Sequence, residues 1–326
     1  MTIRTLSTTA LLCLGLFFTI SQPTARAERI KVILDSDLGS DVDDAFAVAL
    51  LLASPELEIV GITLGHGQTD KRGRLACRLL YETGRENIPV ALGRPTSLVV
   101  GHPEIAGADP RQFSWAEGFS TVEPIDTPAA DFIAGQLRRH PRQITLISVG
   151  PVSNLADLLQ RDPEALQLAK RVYSMFGSFY LGYGGSPVPS AEWNVRADIP
   201  SARTLSTSKA PITYAGLDVT ALVELKAEQR RTLWSHGSPL TDALEALYRL
   251  WGRETPILFD PVPIGMVLWP ELFRTRAAHV RTTPEGFTVI DESRAPNSRV
   301  AMSIQTDEFL ERLVDRLLRQ DLKRGR

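Results

Sequence analysis

Cysteine is nearly missing from this chain: of 326 residues only Cys13 and Cys77 carry a thiol. Cys13 falls in the N-terminal leader described below, so Cys77 has no intramolecular partner. A disulfide framework and a Cys/His zinc site are both excluded. A basic excess is missing too. The formal net charge is −2, and because the leader holds Arg4 and Arg26 and no acid, the remainder stands at −4. Such a chain lacks the positive field that a phosphate backbone requires, so no nucleic-acid partner is expected. The Lys/Arg-rich end "RLLRQDLKRGR" reads as a solvated last helical turn with a frayed tail. Beyond the leader no apolar run reaches the length of a transmembrane helix. What remains is a globular composition, 43% hydrophobic and 23% charged, enough for one large α/β domain or two smaller ones.

The first 27 residues, "MTIRTLSTTALLCLGLFFTISQPTARA", open with an arginine and run apolar from Ala10 to Ile20. A polar, proline-containing segment then ends in Ala25-Arg26-Ala27. This is the layout of a secretory signal peptide with a small-residue cleavage site. The sequence predicts cleavage after Ala27 and a secreted or periplasmic mature protein, residues 28–326, with no membrane attachment afterwards. The rival reading is an uncleaved N-terminal anchor.

Along the mature chain, strand-like and helix-like segments alternate with short connections. Strands are predicted at 29–34, 57–65, 88–93, 143–150, 171–177 and 210–219, and helices at 44–55, 71–84, 128–140 and 152–163. The first helix should stop at Ser54-Pro55, because the residue before a proline resists helical geometry. Ser153 or Asn154 is a candidate cap for the helix after Pro151. Cys77, in "RGRLACRLLYETG", reads as a small core residue. The alternation predicts a single α/β domain whose mostly parallel central sheet is flanked by helices. Two long aperiodic stretches, 99–127 (with Trp115 and Phe119) and 177–194, interrupt it; such loops are commonly lids or binding loops. A small C-terminal hairpin is expected at 277–293, turning at Pro284-Glu285-Gly286.

The most informative stretch is "ILDSDLGSDVDDAFAV" (33–48), which packs Asp35, Asp37, Asp41, Asp43 and Asp44 at the junction of the first strand and first helix. Like charges that close raise one another's pKa unless something positive lies between them. A helix N-terminus favours one or two carboxylates, by roughly 0.3–1 kcal/mol each. It does not account for the rest. A hard cation does, since Ca2+ takes about 6–8 oxygen ligands. The spacing is not that of an EF-hand, because Phe46 stands where that loop needs its final Glu. The remaining ligands must come from elsewhere in the chain.

Asp35-x-Asp37-x-Gly39 followed by Asp43-Asp44-Ala45 resembles the signature of the inosine/uridine-preferring nucleoside hydrolase family. "ISVGPVSNLADLL" (147–159), "AEWNVRADIPSA" (191–202) and "FDPV" (259–262) resemble that family's later segments, in order. The resemblance implies a nucleoside hydrolase-like fold with Ca2+ held by Asp37, Asp44, Asp260 and the carbonyl of Val149. The ion would grip the ribose 2′- and 3′-hydroxyls and a water, with Asp43 as general base and Asp35 supporting the metal site. Glu192 and Asn194 would bind sugar hydroxyls, and a homodimer or homotetramer would be the assembly. Asp41 falls in extra spacing and receives no role.

Three positions depart from the family's pattern. Phe259 stands where members often carry a His, a candidate acid for the leaving base; Gly67 and Ser186 stand where they carry Asn. The metal and sugar end is thus retained and the base end altered. His66, Tyr180, Tyr183 and Trp193 are the other groups expected there, so Glu192, Asn194, Ser186, His66, Trp193 and Phe259 make up the expected substrate-binding set. The predicted activity is calcium-dependent hydrolysis of the N-glycosidic bond of ribonucleosides or related N-ribosyl compounds. It passes through an oxocarbenium-like state with a carboxylate activating water. The alternative is an exported, non-catalytic ribosyl- or nucleoside-binding member of the same fold. A phosphatase of the haloacid dehalogenase type would also place Asp-x-Asp after a first strand, but it leaves Asp43-Asp44 unused. N-terminal sequencing of the exported form should begin at Glu28; a chain retaining Met1 in the membrane fraction would identify an anchor instead.

Overall fold

The computed structural model describes residues 28–105, 107 and 110–324. The leader, 1–27, lies outside the described residues. The first half of the chain alternates as its apolar runs predict: β1 (Ile30–Ser36), α1 (Asp43–Leu52), β2 (Leu57–Leu64), α2 (Thr69–Glu82), β3 (Val90–Leu92), α3 (Ala129–Arg139), β4 (Thr145–Ser148) and α4 (Ser153–Arg161). Next come β5 (Arg171–Met175), the one-turn helix α5 (Trp193–Arg196), α6 (Ile199–Ser206), β6 (Ile212–Ala215) and α7 (Leu217–Thr220). The last third holds α8 (Ala227–Trp234), α9 (Pro239–Trp251), α10 (Pro261–Leu268), β7 (Phe273–Ala278), β8 (Val280–Thr282), β9 (Thr288–Ile290), β10 (Ser298–Ile304) and α11 (Thr306–Arg319).

Eight strands form one sheet in the order β3-β2-β1-β4-β5-β6-β10-β7, parallel except for the edge strand β7. Strands buried on both faces read as near-continuous apolar runs, as β1, β4 and β6 do. Helix α1 buries all ten of its residues because α9, α10 and α11 pack over it. Helices α3, α4 and α6 cover the other face. From β1 the chain steps outward to β2 and β3, then returns to lay β4, β5 and β6 on β1's other side. Ligands in open α/β sheets bind outside the carboxyl ends of the strands at such a reversal, here between β1 and β4.

The expected small hairpin is present as β8–β9, turning through Gly286 at φ 85°. Its Thr288 hydroxyl accepts the Ser178 N–H and donates to the Ser178 carbonyl, which pins the start of the 177–192 loop. Several sequence expectations need correction. The segment 210–219 is not one strand but β6, then Gly216, then α7. Neither Ser153 nor Asn154 caps α4: Ser153 donates to Asp198 and Asn154 to Asp35, two buried carboxylates that take these donors inward. The 99–127 stretch contains a 3-10 turn, Arg111–Ala116, whose Phe113 covers Gly39. Cys77 is buried, as expected. No helix among the described residues is long and apolar enough to cross a membrane. Phe46 is fully buried on α1, against Trp234. Phe46→Ala should cost about 3–5 kcal/mol in urea-induced unfolding.

Candidate active site

The aspartates gather where β1 ends. Asp35 is the last-but-one residue of β1, paired in register with Thr63 on one side and Ser148 on the other. Its Oδ1 accepts from the Thr63 hydroxyl (2.7 Å) and the Asn154 amide (2.7 Å), and burial pushes its pKa up to about 6. The chain then turns sharply: Gly39 has φ 110°, and a Cβ there would lie 2.6 Å from the Phe113 ring. Gln112 holds this turn by donating to the carbonyls of Gly39 and Asp41. Asp43 and Asp44 follow as the first residues of α1, and Asp260, 217 residues further along than Asp43, immediately precedes α10.

Asp43, Asp44 and Asp260 each offer a carboxylate oxygen within 4.8 Å of the others, and all three are buried. Asp44 also accepts from the Ser36 hydroxyl at 2.6 Å, and Asp43 from the Asp260 N–H at 3.3 Å. Burial raises the pKa of all three well above the ordinary carboxylate value. The like charges beside each raise it further. Asp41 is raised as well, again by burial first. Three desolvated acids this close hold a negative charge each only around a cation, and an all-oxygen donor set suits a hard one. The residues fit a metal ion.

One positive charge is already built in. Arg72, buried on α2, donates from Nε to the His66 carbonyl (2.7 Å) and from Nη1 to the carbonyls of Asp37 and Leu38. Its Nη2 reaches the Ser40 hydroxyl (2.8 Å) and lies 3.7 Å from the Asp37 carboxylate. Asp37 is thus the acid paired to a protein cation, while Asp43 stands with Asp44 and Asp260. On the other side Gly150 allows close approach: a Cβ there would fall 2.6 Å from Asp37 Oδ1. The neighbouring Val149 carbonyl, an expected ligand, accepts from the Asn194 amide at 3.0 Å and retains its second lone pair.

Asp37, Asp41, Asp43, Asp44 and Asp260 line one side of a cleft of about 380 Å³. Glu192, Asn194, Val149 and Met175 line its floor, and Trp193, Tyr183 and Phe259 form an aromatic wall. Tyr183 and Phe259 meet edge to face at 6.1 Å. Glu192 precedes α5, and its oxygens accept the N–H groups of Asn194 (2.8 Å), Gly177 (3.0 Å) and Val195 (3.4 Å). Burial nevertheless pushes its pKa up to about 7. Asn194 spends its amide donors on the Val149 and Met175 carbonyls, which leaves Oδ1 for a ligand. Asp218 on α7 accepts the N–H groups of Phe179, Tyr180 and Leu181 and so anchors the loop that carries Tyr183.

The chain matches the family model for inosine-uridine preferring nucleoside hydrolases over residues 32–311. The chain belongs to that family. Among its relatives is a pyrimidine-specific ribonucleoside hydrolase, RihA, of Citrobacter koseri, 33% identical over 312 residues. That match covers 88% of this chain and 98% of the relative. Among solved structures, a plant nucleoside hydrolase superposes with a TM-score of 0.78 at 26% identity, over 89% of this chain and 99% of that one. A purine-preferring ribonucleoside hydrolase from Gardnerella vaginalis shares the fold, with a TM-score of 0.75 at 23% identity over 88% and 98% of the two chains. The protein is therefore an N-glycosyl hydrolase of the nucleoside hydrolase family, acting on N-ribosyl bonds of small nucleosides.

Two members of the expected substrate-binding set, Ser186 and His66, are not among the described residues that line the cleft. Ser186 is in the loop, its hydroxyl accepting the Val188 N–H. His66 is buried behind the wall, edge-on to Trp193 at 6.4 Å, with φ 64°. Its Nδ1 lies 3.2 Å from the Thr96 hydroxyl. Arg72 and Arg253, both missed, are the cations around the acids. Arg72 was detectable: it shares the α2 stripe of Thr69, Leu75, Ala76 and Leu79, an apolar face on which an arginine needs a reason.

A pH dependence follows from the raised acids. Asp35 moves from 3.8 to about 6 and Glu192 from 4.5 to about 7, so across that window the folded chain binds more protons than the unfolded one. Their contribution to stability is complete at the acid end and lost as pH rises. Thermal melts in EDTA should show Asp35→Asn removing part of this loss, and any Tm gain on adding a divalent cation should grow towards neutral pH as the carboxylates deprotonate.

Proposed function

We propose that this protein is an exported, Ca2+-dependent ribonucleoside hydrolase, with pyrimidine ribonucleosides among its substrates. The observation that carries the reading is the buried meeting of Asp43 and Asp44 with Asp260, brought from distant parts of the chain to one cleft. The pyrimidine assignment draws on the RihA relative. Export draws on the N-terminal leader, and a homodimer or homotetramer is the proposed assembly.

Asp37, Asp44, Asp260 and the Val149 carbonyl would hold the ion. Bound there, Ca2+ supplies a Lewis acid that orients the ribose diol and lowers the pKa of water. The chain's own groups do the rest. Glu192 and the free Oδ1 of Asn194 accept sugar hydroxyl protons and fix the ring over the cleft floor. Asp43, whose pKa burial and its acid neighbours raise, takes the proton from the water that attacks C1′. Trp193, Tyr183 and Phe259 shield the anomeric centre from bulk solvent. Asp35, tied to Thr63 and Asn154, keeps the end of β1 rigid so that Asp37 is presented in one place.

Incubation of the purified protein with a nucleoside panel, read as reducing sugar, should give ribose release that EDTA abolishes and Ca2+ restores. Asp43→Asn should lower kcat by roughly 10²–10⁴-fold while Ca2+ binding by calorimetry persists. If instead Asp37→Asn retains the ion and loses turnover, and Asp43→Asn loses the ion, the two carboxylates exchange roles. Calorimetric nucleoside binding with no ribose release would favour the non-catalytic reading.

A further inference from the structure

The cleft has a leaving-group problem. As the C1′–N bond breaks, its electron pair moves onto the departing base, which needs a proton or a positive partner. Phe259 can supply neither; the Tyr183 hydroxyl accepts the Trp193 N–H at 2.8 Å and keeps its own proton, but burial holds it above the ordinary phenol pKa, so it is a neutral donor that brings no positive charge. Among the residues that line the cleft only one is positively charged, Arg253. It lies in the connection between α9 and α10, the same connection that ends in Phe259 and Asp260, and lines the cleft together with both.

Its backbone is well anchored. Gly252 closes α9 at φ 77°, a left-handed conformation that favours glycine, with the Arg111 guanidinium lying over it. The Tyr248 hydroxyl donates to the Glu254 carbonyl (2.6 Å), and the Leu258 N–H to the Val223 carbonyl (2.7 Å). The side chain by contrast is exposed. Among the described residues its guanidinium makes no hydrogen bond or ion pair; it rests over the Trp251 ring, 5.5 Å from the centroid. A fork of donors, rigid at its root, open at its tip and facing a cleft of acids, is equipped for a ligand.

We infer that Arg253 is the leaving-group residue of this hydrolase, holding bases that depart as anions delocalised onto carbonyl oxygen, the 2-oxopyrimidines such as uracil. The inference rests on the hydrolase reading above and deepens it. In the step proposed, water oxygen bonds to C1′ and its proton passes to Asp43. The C1′–N1 electron pair leaves on the pyrimidine, spread over N1 and the ring carbonyl oxygens. Arg253 donates hydrogen bonds to that developing charge and keeps its own protons, since a guanidinium does not act as an acid in proteins. The free base takes its proton from solvent. Adenine has no carbonyl oxygen and offers this partner only ring nitrogens.

The test compares wild type, Arg253→Met and Arg253→Lys on uridine, adenosine, uridine 5′-phosphate and p-nitrophenyl β-D-riboside, whose leaving group needs little help. Arg253→Met should lower the uridine-to-nitrophenyl riboside ratio of kcat/KM by about 10²-fold, the usual loss for one charge-stabilising donor. Arg253→Lys, which keeps the charge without the fork, should fall between. An equal loss on both substrates, or no loss on either, overturns the inference and leaves the hydrolase reading standing. A wild-type preference for uridine 5′-phosphate that Arg253→Met abolishes also overturns it, by placing the guanidinium at the 5′ end. Wild-type protein inert towards all four substrates removes the hydrolase reading and the inference with it.

Discussion

Carboxylates taken out of water must be neutralised, and that constraint organises the active end of this molecule. Protonation, a protein cation and a bound ion are the three available means. Arg72 provides the second, but only beside Asp37. It cannot serve Asp43, Asp44 and Asp260 as well, whose oxygens crowd one another away from solvent. Burial and the neighbouring carboxylates raise the pKa values of all three, so protons compete with a cation for this trio. Protonation state and metal content are therefore one variable in this site.

The surrounding architecture keeps those oxygens from relaxing apart. Asp35 is bound from both neighbouring positions by Thr63 and Asn154. Helix α1 is buried along its whole length, so its first turn cannot swing outward without exposing core. Asp260 enters at the head of α10, which packs directly on α1. The sugar side is equally constrained, because Glu192 and Asn194 are stitched into the ends of β4 and β5 through backbone groups. Binding residues here are also scaffold.

The parts of this design legible in the sequence were those with local signatures. Alternating apolar runs located β1 through β5, because strands buried on both faces and helices of about two and a half to four turns leave different run lengths. The five clustered aspartates located the acid end of the site. The last third was less readable. β7 carries Arg274 and Arg276 on alternate positions and pairs with β10 across the intervening β8–β9 hairpin, while β10 also pairs with β6, so their sheet membership depends on partners far away in the chain. Side chains aimed inward misled as well: Ser153 and Asn154 look like caps, yet serve buried carboxylates that only the fold brings near. Ser186 and His66 occupy motif positions, yet neither lines the cleft, and the left-handed backbone at His66 has no signature in the sequence.

The long insertion between β3 and α3 looks from its composition like the most dispensable part of the chain. Its Gln112 amide nevertheless holds the carbonyls of Gly39 and Asp41, and its Phe113 ring occupies the space a side chain at 39 would need. An appendage has become a structural member of the catalytic turn. Sequence drift in that segment is therefore coupled to the acid cluster, and a relative that shortens it must brace the same turn by some other route.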